Sequence, residues 1–230
     1  MISQEWFDGI LAELYQPLAW IPDLAARMHL SECRNQDATK KRENKMQRIT
    51  VVNATEATGK AKQLLDGVQA KLGMTPNMMK TMATSPAVLE GYLGFGAALG
   101  TGTLDARFRE QMALAVAQAN SCEYCLSAHS TIGKMVGLKP EEIAASRSAH
   151  SQDAKRDAGL QFTQLLVVQR GEVSDAALAD VRAAGYTDGE VAEIVANVAI
   201  NIFTNYFNHV ARTDLDFPRV SVAMEPMLAA

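Results

Sequence analysis

The sequence predicts an all-α protein, and three observations predict it. Apolar residues recur at three- and four-residue intervals, as in Leu104, Phe108, Met112, Ala115, Val116 and Ala119. Helix starts and stops bound these stretches, with hydroxyl–proline pairs at one end and glycine at the other. Alternating β-branched sequence is nearly absent, the Ile-Thr-Val-Val run at 49–52 being too short to decide anything.

The first 45 residues read as an appended segment. Trp6, Phe7, Ile10, Leu11, Leu14 and Tyr15 recur at helical spacing, as do Ile21, Leu24, Ala25 and Met28, and Pro17 and Pro22 break the two runs apart. A polar, basic run at 40–45 reads as a solvated linker. A domain over 46–220 and a tail over 221–230 complete the expected layout.

Within that domain a helix is expected over 54–72, stopped by Gly73. Thr75-Pro76 and Ser85-Pro86 each offer an N-cap hydroxyl followed by proline at the first helical position. The stripe from Leu104 to Ala119 is the next helix; Asn120-Ser121 either ends it or caps a new one running from the cysteines to about Val136, where Gly137 stops it. Lys139-Pro140-Glu141-Glu142 opens a short helix with acids in its first turn. Helices at 153–170 and 174–184 follow, the latter closed by Gly185. Thr187-Asp-Gly-Glu190 is a capping box that opens a long helix with Val191, Ile194, Val195, Val198, Ile202 and Tyr206 as its stripe. Glu193, Asn205 and Asn208 repeat the spacing of Glu110, Cys122 and Cys125, as duplication of a helical unit or chance would produce.

Composition excludes some functions. A net charge of −4 gives no electrostatic case for nucleic acid or an anionic membrane as partner. No apolar stretch approaches membrane-spanning length, and the N-terminus lacks the layout of a signal peptide, so a cytoplasmic location is expected. Three cysteines do not make a disulfide scaffold; a close pair plus a distant Cys33 fits a reducing compartment, where C-x-x-C is catalytic or metal-binding more often than structural.

The chemistry concentrates between Glu110 and His129. Cys122, Cys125 and His129 stand at i, i+3 and i+7, one face of a helix, with Glu110 three turns upstream in an apolar run. Thiol redox chemistry needs a thiolate, a base and a group that orients the base. Ser121 could cap the helix so that its dipole acts on Cys122; His129, at i+4 from Cys125, is the base, and Glu110 its orienter. Attack on a peroxide oxygen gives a sulfenic acid, which the second cysteine converts to a disulfide that an external dithiol reduces. Cys125, nearer the base, is assigned attack and Cys122 resolution, although the N-terminal thiol of such a pair is often the more acidic. Zinc would need a second ligand pair, and His150 and His209 lack the spacing. Met74, Met78, Met79 and Met82 read as core or subunit-interface packing.

Arg109-Glu-Gln-Met-Ala-Leu-Ala-Val-Ala and Asn120-Ser-Cys-Glu-Tyr-Cys-Leu-Ser-Ala-His129 resemble the alkylhydroperoxidase D core of the carboxymuconolactone decarboxylase superfamily, in its peroxidase-related group. Gly137-Leu-Lys-Pro-Glu-Glu-Ile and Asn205-Tyr-Phe-Asn-His209 extend the resemblance over about 46–220. It implies an alkylhydroperoxidase D-like helical bundle, assembly into trimers or hexamers, and no metal or organic cofactor. It also implies that Glu110, Cys122, Cys125 and His129 match the family's proton relay and redox pair, acting on a small hydroperoxide with a thiol or lipoyl-type reductant. The family's best-studied enzyme has a second histidine between its cysteines, where this chain has Tyr124. Members without the cysteine pair include the lactone decarboxylases. A lactone enzyme, with Arg107 or Arg109 binding substrate carboxylates, is therefore one alternative, and a non-catalytic thiol sensor or oligomeric scaffold is another.

Overall fold

The structure is a computed structural model that describes residues 47–223. Expectations for the appended segment, with Cys33, and for the tail beyond 223 lie outside the described residues. Every regular element among the described residues is an α-helix. The described residues form two compact units, one of residues 47–106 with Tyr206–Pro218, the other of Arg107–Asn205 with residues 219–223.

The first unit contains α1 (Gly59–Leu72), α2 (Asn77–Met82) and α3 (Pro86–Gly100). Helix α1 stops as expected, at Gly73 with φ 69°, a left-handed conformation that glycine adopts without strain. It starts later than residue 54, because Asn53 captures the chain ahead of it. The Asn53 carbonyl accepts the Ala57 N–H at 2.9 Å, and its side chain accepts the Thr55 N–H at 3.1 Å. Pro76 stands at the N-cap of α2 rather than inside it, and the Thr75 hydroxyl donates instead to Gln69 Oε1 at 2.9 Å. Ser85 and Pro86 take the expected N-cap and first-turn positions of α3. Both α1 and α2 pack on α3, burying Leu64, Leu65, Val68, Met78, Met79, Met82, Leu89 and Leu93, so three of the four methionines are core.

The second unit contains α4 (Ala106–Ala119), α5 (Glu123–Met135), α6 (Pro140–Arg147), α7 (Ala154–Val168) and α8 (Asp175–Ala183), and α9 (Asp188–Ala211) starts in it. Its helix starts are capped. Asp153 accepts the Arg156 N–H, Ser174 accepts the Ala177 N–H, and Thr187 and Glu190 accept each other's backbone N–H groups. Helix α5 packs on α6, and α7 on α8.

The stripe expected on α9 divides. Ile194 and Val198 are buried, while Val195 and Tyr206 are exposed. The helix is turned so that Asn197, Asn201, Asn205 and Asn208 are also buried. Asparagines can occupy that face because their amides reach the preceding turn: Asn197 Nδ2 donates to the Glu193 carbonyl and Asn201 Nδ2 to that of Asn197, each at 2.8 Å. Glu193, Asn205 and Asn208 therefore share one unbroken helix, whereas Glu110 and Cys122 are separated by a helix end. The repeat in spacing is not a repeat in elements.

Candidate active site

The site is built at the junction of α4 and α5. Helix α4 ends in a Schellman motif: the Ser121 N–H donates to the Gln118 carbonyl at 3.0 Å and the Cys122 N–H to the Ala117 carbonyl at 2.9 Å. Ser121 occupies the left-handed position with φ 55°, where glycine is usual. Cys122, the residue after it, is also the N-cap of α5, its Sγ accepting the Cys125 N–H at 3.4 Å. The expectation that Ser121 caps this helix is thus corrected. The six-to-one hydrogen bond of Cys122 places the serine outside α5, and one cysteine ends one helix and starts the next. Because a non-glycine residue in this region is strained, Ser121→Gly should stabilise the protein by about 0.5–1 kcal/mol. Thermal melting of the two proteins checks this, and a lower Tm for the variant would contradict it.

The four residues singled out in the sequence come together in the second unit. The Cys122 and Cys125 sulfurs lie 2.7 Å apart, within reach of an S–S bond of about 2.05 Å without backbone movement. Neither is in a disulfide, and both are buried, at 1% and 2% exposure. His129 Nδ1 meets Glu110 Oε2 at 2.8 Å. A carboxylate accepts, so Nδ1–H donates and Nε2 remains the nitrogen that can take up or release a proton.

Cys122 donates to Cys125, and that hydrogen bond, followed by burial and the charge on Cys125, pushes its ionisation far above the ordinary thiol range. For His129, burial disfavours the imidazolium, but the charge and hydrogen bond of Glu110, with a further contribution from Cys125, outweigh it and raise the pKa above the ordinary 6.5. Tyr124, between the cysteines, is buried.

Arg107 pairs with Glu142 on α6 at 2.7 Å, and the Lys139 N–H and Arg107 together hold the Glu142 carboxyl below its usual range. His150, largely exposed, meets Asp157 at 3.1 Å, and His209 is exposed near the end of α9. Among the described residues no group of three His, Cys, Asp or Glu side chains is arranged to hold a metal ion.

The sequence reading missed two sets of contacts around α5. Residues 219–222 lie along α5 and α6. Arg219 pairs with Glu123 at 3.3 Å, the Val220 N–H donates to Ser127 Oγ at 2.9 Å, and Arg147 Nη2 donates to the Ser221 carbonyl at 2.7 Å. Asn120, beside Ser121, donates from Nδ2 to Asn205 Oδ1 at 3.0 Å. The Asn205-Tyr-Phe-Asn-His209 segment was the only signal for the second set.

No helix among the described residues is long and apolar enough to cross a membrane. Residues 86–165, from α3 to α7, match the carboxymuconolactone decarboxylase family. A stretch of 46 residues is 50% identical to an uncharacterised protein of Haemophilus influenzae; it makes up 20% of this chain and spans only 41% of that relative's length. The fold is similar to the alkylhydroperoxidase AhpD core of a peroxidase-related protein from Ralstonia eutropha, with a TM-score of 0.67 and 24% identity over 76% of this chain and 94% of that one. It is also similar to a cysteine-to-alanine variant of the debrominase Bmp8 in complex with 2,3,4-tribromopyrrole, with a TM-score of 0.65 and 18% identity over 76% and 94% of the two chains. The family match covers the helices that carry the Glu110–His129 pair and both thiols, and the helical fold around them agrees with it. The likeness to the carboxymuconolactone decarboxylase family is therefore carried by residues 86–165, and the fold of the described residues is similar to that of solved peroxidase-related proteins.

Proposed function

We propose that the protein is a cofactor-free dithiol peroxidase that reduces small organic hydroperoxides and is restored by an external thiol or lipoyl-type dithiol. The observation that carries this reading is a sulfur pair 2.7 Å apart at the start of the helix whose His129 is held by Glu110 at 2.8 Å. A lone C-x-x-C has several uses, but a C-x-x-C next to an oriented imidazole has the parts of an activated nucleophile.

The hydrogen bond between the thiols supports one division of roles. Cys122 donates its proton toward Cys125, and that hydrogen bond with burial holds its ionisation up, which supports Cys125 as the attacking thiolate and Cys122 as the resolving thiol. The Cys125 thiolate attacks the terminal peroxide oxygen and the O–O bond breaks. The departing alkoxide takes the proton of the His129 imidazolium, leaving a sulfenic acid and an alcohol. The Cys122 sulfur then displaces hydroxide from that sulfenic acid, its thiol proton leaving with the hydroxide as water, and the disulfide closes. An external dithiol returns both thiols by exchange and is itself oxidised. His129 regains its proton from solvent, with Glu110 holding the ring in place.

One equivalent of cumene hydroperoxide, followed by a thiol count, tests the proposal. Wild type should lose both thiols. Cys122→Ser should accumulate a trappable sulfenic acid at Cys125, and Cys125→Ser should react at least about 10²-fold more slowly. Thiols that persist in wild type for minutes would sink the mechanism. The debrominase with the same fold supplies a second electrophile for the same assay. Two electrons from the thiol pair would replace a pyrrole C–Br by C–H and release bromide, so thiol loss on a bromopyrrole but not on a hydroperoxide would redirect the reading to that substrate class. Assembly into trimers or hexamers belongs to the same proposal, and analytical ultracentrifugation reads it directly.

A further inference from the structure

Asn205 is fully buried on α9, and its side chain is satisfied on one side only. Its Oδ1 accepts from Asn120 at 3.0 Å, while its Nδ2 is buried with no acceptor. An orphaned buried donor costs roughly 1–3 kcal/mol, so packing alone would favour an apolar residue here. The value of the asparagine must therefore lie in its oxygen. That oxygen holds the residue that precedes the strained, left-handed Ser121, and Cys122 follows directly.

The two cysteines differ in how they are held. Cys125 sits inside α5, fixed by the helix, whereas Cys122 is outside it and depends on the turn at 120–121 for its place. If that turn relaxes to an unstrained conformation, the Cys122 sulfur leaves Cys125. We infer that Asn205 is a positioning residue for the dithiol: by holding Asn120 it fixes the turn at Ser121 and keeps the resolving thiol within bonding reach of Cys125. This rests on the dithiol reading given above, and it concerns the step in which the S–O bond of the Cys125 sulfenic acid breaks, the S–S bond forms and water leaves. A positioning contact acts on that step by raising the effective concentration of one sulfur at the other.

The test measures the dithiol–disulfide equilibrium in glutathione redox buffers for wild type, Asn205→Leu, Asn120→Ala and the double variant, with Tm recorded for each. Disulfide stability should fall about tenfold in each single variant, equivalent to about 30 mV for a two-electron couple. The double variant should fall no further, because both changes remove the same Asn120–Asn205 hydrogen bond. Asn205→Leu should keep or raise Tm, since the orphaned donor is gone. After one equivalent of hydroperoxide, sulfenic acid at Cys125 should also be trapped in higher yield in the single variants than in wild type. Unchanged equilibrium constants in the variants would overturn the inference, as would losses that add in the double variant. If Asn205→Leu does not fold, Asn120→Ala, changed at a half-buried turn position, decides the matter alone. The glutathione equilibrium needs no hydroperoxide. A wild type that forms the disulfide there but ignores hydroperoxides would sink the peroxidase reading and leave this inference to be judged on the variants.

Discussion

Glu110→Gln should lower the rate of hydroperoxide-dependent thiol loss by roughly 10²-fold while both thiols stay in place. Glutamine keeps the shape of the side chain and can still accept from His129 Nδ1, so the variant removes charge and little else. Burial is the largest influence on His129 and works against its imidazolium; only Glu110, helped by Cys125, reverses it. Without the carboxylate the ring is neutral at neutral pH. On the proposed mechanism it then has no proton for the departing alkoxide and no positive charge to favour the Cys125 thiolate.

The same substitution has a stability signature with a definite sign. In wild type the folded pKa of His129 lies above its unfolded value of 6.5. The stabilisation from the Glu110 pair is therefore complete below 6.5 and is lost as pH rises through the raised value. In Glu110→Gln burial prevails and the folded pKa lies below the unfolded one, so protonation now opposes folding as pH falls. Thermal melts across this range should show wild type most ahead of the variant at the acid end, with the gap closing upward. A gap that widens with pH would show that the carboxylate does not hold an imidazolium. A rate unchanged by the substitution would remove Glu110 from the relay.

What the sequence disclosed and what it concealed divide along a physical line. Signals that act within one turn were legible: Gly73, Gly137 and Gly185 stop helices in left-handed conformations, Ser85-Pro86 starts one, and Thr187 with Glu190 caps another. The Glu110–His129 pair was legible because a carboxylate on an apolar run requires a partner and the one nearby base lies at helical spacing. The place of Ser121 was concealed. Its side chain is a good N-cap, and nothing local reveals that backbone bonds from 117–122 put it in a glycine-type conformation. Contacts across many residues were also concealed, such as Asn120 with Asn205, and so was the orientation of α9, whose stripe is too broad to say which side faces inward. Gly159 belongs to this concealed class, since a glycine inside a helical pattern gives no sign of what lies over it.

Gly159→Ala should destabilise the protein by about 2–3 kcal/mol, although alanine is the better helix former by about 1 kcal/mol. The position lies on α7 where two aromatic rings approach the backbone. A Cβ there would fall against the Tyr186 hydroxyl, 2.8 Å from Tyr186 Cζ and 2.6 Å from Phe108 Cζ. Neither ring can move aside cheaply. Both are buried, their centroids are 5.9 Å apart, and Lys155 stands over the Tyr186 ring at 4.6 Å. For a chain of this size the loss corresponds to a fall in Tm of roughly 4–12 °C. Phe108→Leu on the same background should recover part of it by opening space beside the new methyl. Recovery of that kind would locate the strain at the ring contact, because Phe108→Leu alone removes buried apolar surface and should cost stability. A Gly159→Ala protein that melts above wild type would mean that the rings yield, and that α7 gains only the propensity of alanine. The effect should also reach the chemistry. Phe108 precedes Glu110 by two residues on α4, so a shift of α4 away from α7 moves the carboxylate relative to His129. The variant should therefore lose more peroxidase rate than its remaining folded fraction explains, and Phe108→Leu should restore rate and Tm together.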